Sequence, residues 1–424
     1  MKRLAARPTE LGLLLVAVAI FLVGRETLAI EGAESQQAVW LAAGALAALY
    51  LVAHFWLAMA GVTGDEILLP CAAALCSLSL CLVLRLQPDD YYRQFLWVAL
   101  GIVLVTAIAG SRLELWWLSR YKYTFAAAAF ALLLATALFG RQVNGARLWI
   151  GIGPLQFQST EVMKLALVIF IAGYLEEKRE LLMLGDYRFG LLRLPPIQYL
   201  GPLGVLWIAS LLSLLWQRDL GGTLLLLGVA LAMLYAGTGK RSYIVGGLIL
   251  FALNVLVTYH FFGYVRSRVD VWLDPWAYAS DRGYQIVQAL YAVSSGGILG
   301  AGLGQGMPRF IPEVHTDFVY AAVAEELGLV GAVAVLLIFL ILVFRGLRIA
   351  LTCPGRFEQL LAIGFACLLG LQCLVIVAGN LEVIPLTGIT LPFVSYGGSS
   401  LVVNFVIVGM LLRLSDEGPR ARGR

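Results

Sequence analysis

The stretch Asp270–Phe318, DVWLDPWAYASDRGYQIVQALYAVSSGGILGAGLGQGMPRFIPEVHTDF, decides how this chain is read. It lies in a polar, aromatic and glycine-rich interval, 262–317, that breaks an otherwise almost continuously apolar sequence. Hydrophobic residues make up 61% of the 424 and charged residues only 13%, against roughly a quarter in a soluble domain. Outward from the interval, apolar runs of about 18 residues or more recur, each long enough to cross a ~30 Å hydrocarbon core as a helix. Twelve are expected: 10–30, 38–61, 67–86, 93–110, 123–140, 162–176, 198–216, 220–237, 242–261, 318–345, 357–379 and 396–413. The first lacks a small-residue cleavage site after its apolar core and reads as a span, not a signal peptide. The expected fold is an all-α polytopic membrane protein.

Positive charge sets the orientation. Counted from a cytoplasmic N-terminus, Lys2, Arg3 and Arg7 fall inside, together with Arg112, Arg120, Lys122, Lys178, Arg179, Arg188, Arg193, Lys240, Arg241, Arg345, Arg348, Arg356 and the arginines from Arg413 onward. That is the positive-inside pattern. It places 141–160, Gln217–Asp219, 262–317 and 380–395 outside and both termini in the cytoplasm. The net charge of +4 is therefore a topology signal, and no basic cluster with interleaved aromatics suggests nucleic acid as a partner. Six cysteines without CxxC or ligand spacing read as apolar fillers, and no metal site is marked. No GxxxxGK[ST] loop argues for ATP-driven work. The cytoplasmic loop 177–197 is too short to fold alone.

Four segments are expected on the outer side. The first runs NGARLWI (144–150) to Gln158, Ser159, Thr160, Glu161 and Lys164. Glu161 and Lys164 share a helix face. Charges inside a span are costly, so the pair either orients two helices or, with Arg147, receives an anionic head group. The second is the hairpin QRDLGG (217–222), where Arg218 either snorkels or binds, and Asp219 either caps the next helix or faces substrate. The third is the long interval. There Asp274 and Asp281 are helix caps or catalytic carboxylates; Asp281 opens, and Gln285 precedes the apolar residues of, an amphipathic helix suited to the membrane interface. Its glycines allow close backbone approach, and His315 and Glu325 follow. The fourth, 380–400, has prolines and glycines interrupting an apolar region, with Ser395 and Ser399 in it. Such backbone at membrane depth is tolerated where it is buried in protein or lines a cavity. His54 and His260, without carboxylate neighbours in sequence, read as packing or interface residues.

NGARLWI, the Glu161/Lys164 pair, QRDLGG, GYQIVQALYA (283–292), PEVHTDFVYAAVAEELGLVG (312–331) and PLTGITLPFVSYGGSS (385–400) occur in this order. Together they resemble the SEDS family of RodA, FtsW and SpoVE, over about residues 65–415, and most of all a RodA-type member. The resemblance implies a ten-helix core at 65–415, with 1–64 as extra N-terminal transmembrane helices and 416–424 as a cytoplasmic tail. It further implies a bacterial inner-membrane glycosyltransferase that polymerises lipid II into peptidoglycan on the outer face. Its expected partners are a class B penicillin-binding protein and other elongation or division proteins. A diphosphate substrate is compatible with a divalent cation, Mg or Mn. Arg147, Lys164 and Arg218 are suitable cations for it, and the long loop supplies the base. In the family pattern an essential aspartate stands six residues before the aromatic of the GYQ motif. That position here is Tyr278. The nearest acids are Asp281, three residues later, and Asp274, four earlier, and the catalytic expectation falls on them in that order.

Two other functions fit the same residues. Glu161, Lys164, Glu325 and Glu326 within broken spans would suit a flippase for a lipid-linked precursor, although the polar groups concentrate on one face. A non-catalytic scaffold for a penicillin-binding protein would leave the loop carboxylates dispensable.

Overall fold

In the computed structural model the chain is described throughout except at 1–6, 31–35, 112–113, 144–145, 153–154, 184–186, 190–191, 195–200, 202–203, 205–218 and 423–424. The helices are α1 (Pro8–Ile30), α2 (Gln36–Met59), α3 (Leu68–Leu86), α4 (Tyr91–Gly110), the short α5 (Trp117–Arg120), α6 (Lys122–Phe139) and α7 (Ser159–Met183). There follow α8 (Leu220–Thr238), α9 (Arg241–Phe261), α10 (Gly263–Leu273), α11 (Tyr284–Gly296), α12 (Val319–Thr352), α13 (Arg356–Asn380) and α14 (Gly398–Arg422). Ten of these are long and apolar enough to cross a membrane. α7 carries Glu161, Lys164 and a charged C-terminal turn, and it packs among α6, α8 and α13. The expected span at 198–216 lies outside the described residues.

The burial pattern separates the helices. Most of α3, α13 and α14 is enclosed by protein, whereas α9 leaves nearly all its apolar surface outward. A helix apolar all round and exposed is what lipid contact requires, because lipid satisfies an apolar face as well as protein does. α14 packs along α4, α12 along α13, and α1 along α3. The close approach of α1 to α3 depends on Gly24, where a Cβ would lie 2.7 Å from Cys81 Sγ.

Two features depart from an all-helical reading. β1 (Arg141–Val143), β2 (Ala146–Ile152) and β3 (Leu155–Gln158) form a three-stranded antiparallel sheet in order β1-β2-β3, with Trp149 opposite Gln158. A second ladder pairs β4 (Tyr187–Phe189) with β5 (Leu192–Leu194). Both fall in segments that the sequence analysis assigned to loops between spans, 141–160 and 177–197. The amphipathic helix in the long interval exists as α11, but its apolar residues Ile286, Val287, Ala289 and Ala292 are buried against α12. That face is packed on protein, while Tyr284 and Tyr291 stay exposed on the other side.

Candidate active site

The site begins on α7, where Glu161 and Lys164 are one helical turn apart and both buried, at 6% and 4% exposure. Lys164 Nζ lies 2.7 Å from Glu161 Oε2 and donates to Gln372 Oε1 of α13 at 2.9 Å. Gln372 Nε2 in turn donates to Thr390 O at 2.9 Å, and Thr390 Oγ1 to Ser400 Oγ at 2.8 Å. One ammonium thus ties α7 and α13 to the interrupted segment 381–397. Removing a buried charge from water is tolerable only with this density of partners. Ser399 accepts from the Gln158 backbone at 3.1 Å, which docks the end of β3 onto α14.

Asp219 stands at the N-terminus of α8 and its Oδ1 accepts from Gly222 N at 2.7 Å, a helix cap. Its carboxyl does more than cap. Burial raises it, and Gly222 N–H, Lys164 and Arg268 oppose that rise while Glu161 adds to it. Gly221 lets α8 close onto the interrupted segment, since a Cβ there would fall 2.3 Å from Ile389 Cγ2 and 2.9 Å from Thr387 O.

Arg268 enters this cluster from α10. Its Nη1 donates to Leu386 O at 2.6 Å, and one turn later Trp272 Nε1 donates to Glu382 O at 2.9 Å. Gly388, two residues beyond Leu386, turns the backbone at φ +70°. The position a Cβ would take on it is 3.7 Å from Asp317 Oδ2 and 3.8 Å from Arg268 Nη2. Asp317 keeps part of its surface exposed, yet burial pushes its carboxyl up to about 6, with Thr316 and Arg268 opposing and Glu313 adding. Its backbone is pinned by Asn380 Nδ2, which donates to Asp317 O at 2.8 Å. The next residues back are held as well: Ser395 Oγ donates to Thr316 O at 2.6 Å and Tyr396 N to His315 O at 2.9 Å. His315 faces the Tyr396 ring at 5.8 Å, and Tyr396 OH donates to Asp90 Oδ1 at 3.0 Å.

Of the residues expected at the site, Glu161, Lys164 and Asp219 are brought together, and Ser395, Ser399 and His315 line the adjoining 381–400 segment. Glu325 serves another purpose. Its Oε1 accepts from Met307 N at 2.7 Å, while Glu326 accepts from Arg85 Nε at 3.4 Å and Arg85 Nη2 donates to Gly304 O at 2.7 Å. These groups hold the glycine-rich loop onto α12. Gln285 is half-buried on α11. Asp281 has a side chain 79% exposed, 3.7 Å from Arg282 Nε, and it does not cap α11, whose N-cap is Gly283. Asp274 is exposed and caps a turn, accepting from Ala277 N at 3.1 Å. Tyr278 lies under the Arg282 guanidinium, 4.6 Å from its ring centre. Arg147 sits in β2 opposite Gln142; its side chain, like the whole of Arg218, lies outside the described residues. Among the described residues no group of three or more His, Cys, Asp or Glu is placed to hold a metal ion.

Arg268, Asp317 and Gln372 were not singled out by sequence. One signal for Arg268 was present: like Arg147 and Arg218, it is an arginine in a segment expected outside, against the charge rule. His54 also gains a partner invisible in sequence, its Nδ1 lying 2.8 Å from Glu10 Oε1.

Comparison with known proteins places the chain among its relatives. Residues 67–419 match the FtsW/RodA/SpoVE family, described as cell cycle proteins. The peptidoglycan glycosyltransferase RodA of Mycobacterium tuberculosis is 36% identical over 96% of this chain and 90% of its own. Stage V sporulation protein E of Bacillus subtilis is 34% identical over 76% and 86%. Among solved structures, a chain of a peptidoglycan synthase complex that coordinates polymerization and crosslinking superposes with TM-score 0.71 and 30% identity, over 84% of this chain and 99% of that one. Thermus thermophilus RodA superposes with TM-score 0.61 at 30% identity, over 84% and 97%. The chain is a member of the FtsW/RodA/SpoVE family.

Proposed function

We propose that this protein is a peptidoglycan glycosyltransferase that polymerises lipid II at the outer face of the bacterial cytoplasmic membrane, with both termini inside. The observation that carries the reading is the cluster of Lys164 and Arg268 with Glu161, Asp219 and Asp317 around the interrupted segment 381–397. Its chemistry matches the reaction. A GlcNAc 4-hydroxyl attacks the anomeric carbon of a donor MurNAc, with inversion, while a lipid diphosphate departs. Fixed cations in a low-dielectric site stabilise the charge that develops on the leaving diphosphate. Lys164 and Arg268 supply the cations here, and the sequence offers Arg147 and Arg218 as further ones. A carboxylate that accepts the hydroxyl proton contributes about 10²–10⁴-fold. A divalent cation, when bound to the diphosphate, would add charge neutralisation of the same kind.

The partner we infer is a class B penicillin-binding protein that crosslinks the nascent glycan, as the superposition on a polymerization and crosslinking complex supports. The test is polymerisation of lipid II by the purified protein, alone and with that partner. Glycan strands from wild type, lost in Lys164→Ala and Arg268→Ala, support the reading. Transfer of lipid II across liposome membranes without polymer would replace it with a flippase.

A further inference from the structure

The carboxylates at this end of the bundle are not equivalent as proton acceptors. Asp281 stands in solvent beside Arg282. Asp274 is engaged as the cap of a surface turn. Glu161 is ion-paired with Lys164, Asp219 is buried at the tip of α8 with an oxygen on Gly222, and Glu325 and Glu326 anchor the glycine-rich loop. Asp317 differs from all of these. It is partly exposed, it is in no ion pair among the described residues, and its backbone is pinned to α13 by Asn380. Its Oδ2 and the Arg268 guanidinium both approach the Gly388 turn, each within 4 Å of the place a Cβ would take there.

That placement fits the geometry of an in-line displacement. The proton acceptor and the cation that neutralises the leaving diphosphate sit on opposite sides of one anomeric carbon, so they are separated by little more than a sugar ring. Asp317 and Arg268 meet at one turn of the site, whereas Asp281 stands in solvent beside Arg282 and Asp274 caps a surface turn.

We propose that Asp317 is the catalytic base of this chain, taking the proton of the acceptor 4-hydroxyl, while the position at which the family pattern carries an aspartate holds Tyr278. The assignment rests on the glycosyltransferase reading. In the step, the acceptor O–H breaks and its proton passes to Asp317 Oδ2 as the oxygen bonds to the donor anomeric carbon. The bond from that carbon to the diphosphate oxygen breaks with its electron pair leaving on the diphosphate, beside Arg268 and Lys164. The groups acting on Asp317 are Arg268 from α10 and Glu313 and Thr316 from its own loop, with neutral Asn380 facing its backbone from α13. A carboxyl raised to about 6 is ionised at neutral pH and still basic enough to act, which predicts a rate that falls on the acid side near pH 6.

The experiment is the initial rate of lipid II polymerisation against pH, with the partner penicillin-binding protein present. Asp317→Asn is expected to lose about 100-fold or more while still co-purifying with the partner as a monodisperse complex. Asp317→Glu is expected to restore part of the rate with a displaced acid limb, which a purely structural residue would not do. An Asp317→Asn protein within about threefold of wild type, with its acid limb intact, overturns the assignment. So does loss of that limb in Asp281→Asn instead. If Asp317→Asn fails to fold, the Glu variant decides: an unmoved limb rejects the proposal. Wild type without polymer would remove the glycosyltransferase reading itself, an outcome distinct from an active wild type with an active Asn variant.

Discussion

At Lys164 a single ammonium is held by one carboxylate, one amide and the nearby Asp219, all away from water. Taking away one partner of such a pair leaves a buried charge behind, which costs about 3–5 kcal/mol. Glu161→Gln is therefore expected to lower the thermal midpoint in detergent, while Glu161→Gln combined with Lys164→Met recovers much of it; polymerase activity stays lost in both. Asp317 makes the opposite kind of prediction. Its carboxyl rises from 3.8 to about 6 on folding, so between those values the folded state holds a proton that the unfolded chain has released. Stability then falls as pH rises through that window and is flat above it. Asp317→Asn is expected to flatten this part of the curve, and unfolding scans in detergent from pH 4 to 7 would show whether it does. The sequence displayed Lys164 and Glu161 plainly, because charges inside an apolar run are conspicuous. It showed Asp317 only as part of the 312–331 motif and Arg268 only as a loop arginine, and nothing local says that α10 and segment 381–397 bring the two together.

The glycine-rich loop and α12 form one unit. At Gly328 the helix is interrupted (φ +65°, ψ −169°), and the strand-like backbone there is satisfied from the loop. Leu329 N and Val330 N donate to Gly297 O and Ile298 O, and Ala301 N and Gly302 N to Glu325 O and Glu326 O. A Cβ on Gly300, at φ +83°, would lie 2.3 Å from Glu326 O, which is backbone and has no room to yield. Gly300→Ala is expected to destabilise the protein by about 1–3 kcal/mol, read as a lower midpoint and easier proteolysis of the loop. Arg85→Ala leaves Glu326 without its cation and releases Gly304 and Gly306; loss of polymerisation at normal membrane insertion is expected, since the loop contacts α3 through that side chain. Sequence anticipated the loop, its glycines and the apolar face of α11. It did not anticipate that α11 packs on α12, because an amphipathic period specifies an apolar neighbour without saying whether that neighbour is lipid or protein. The β1–β3 ladder was equally hidden, because a loop between two spans carries no local sign of which of its strands pair.

Across the whole molecule, polar clusters at the two ends of the bundle hold the helices in register. At the end opposite the active site, Arg7 donates to Glu10 Oε2 at 2.5 Å and to Val62 O at 3.1 Å, and Glu10 also meets His54. Arg345 donates to Asp65 at 2.5 Å, and Thr63 donates to Asp416 at 2.8 Å. The helices α1 and α2 are thereby fastened to the loop that begins α3 and, through it, to α12 and α14. Glu10→Ala strips the counter-charge from fully buried Arg7 and is expected to cost about 3–5 kcal/mol, seen as premature unfolding with activity retained at low temperature. The apolar periods made the number and order of most spans legible, whereas these ties join residues hundreds of positions apart and left no trace in local pattern. The same separation has a consequence for synthesis. Lys164 waits for Gln372, 208 residues further along the chain, and at ~5–20 residues per second a ribosome needs about 10–40 s to deliver it. Throughout that delay the nascent α7 carries its own neutralising pair, Glu161 one turn before Lys164, so the ammonium has a counter-charge before its lasting neighbour has been made.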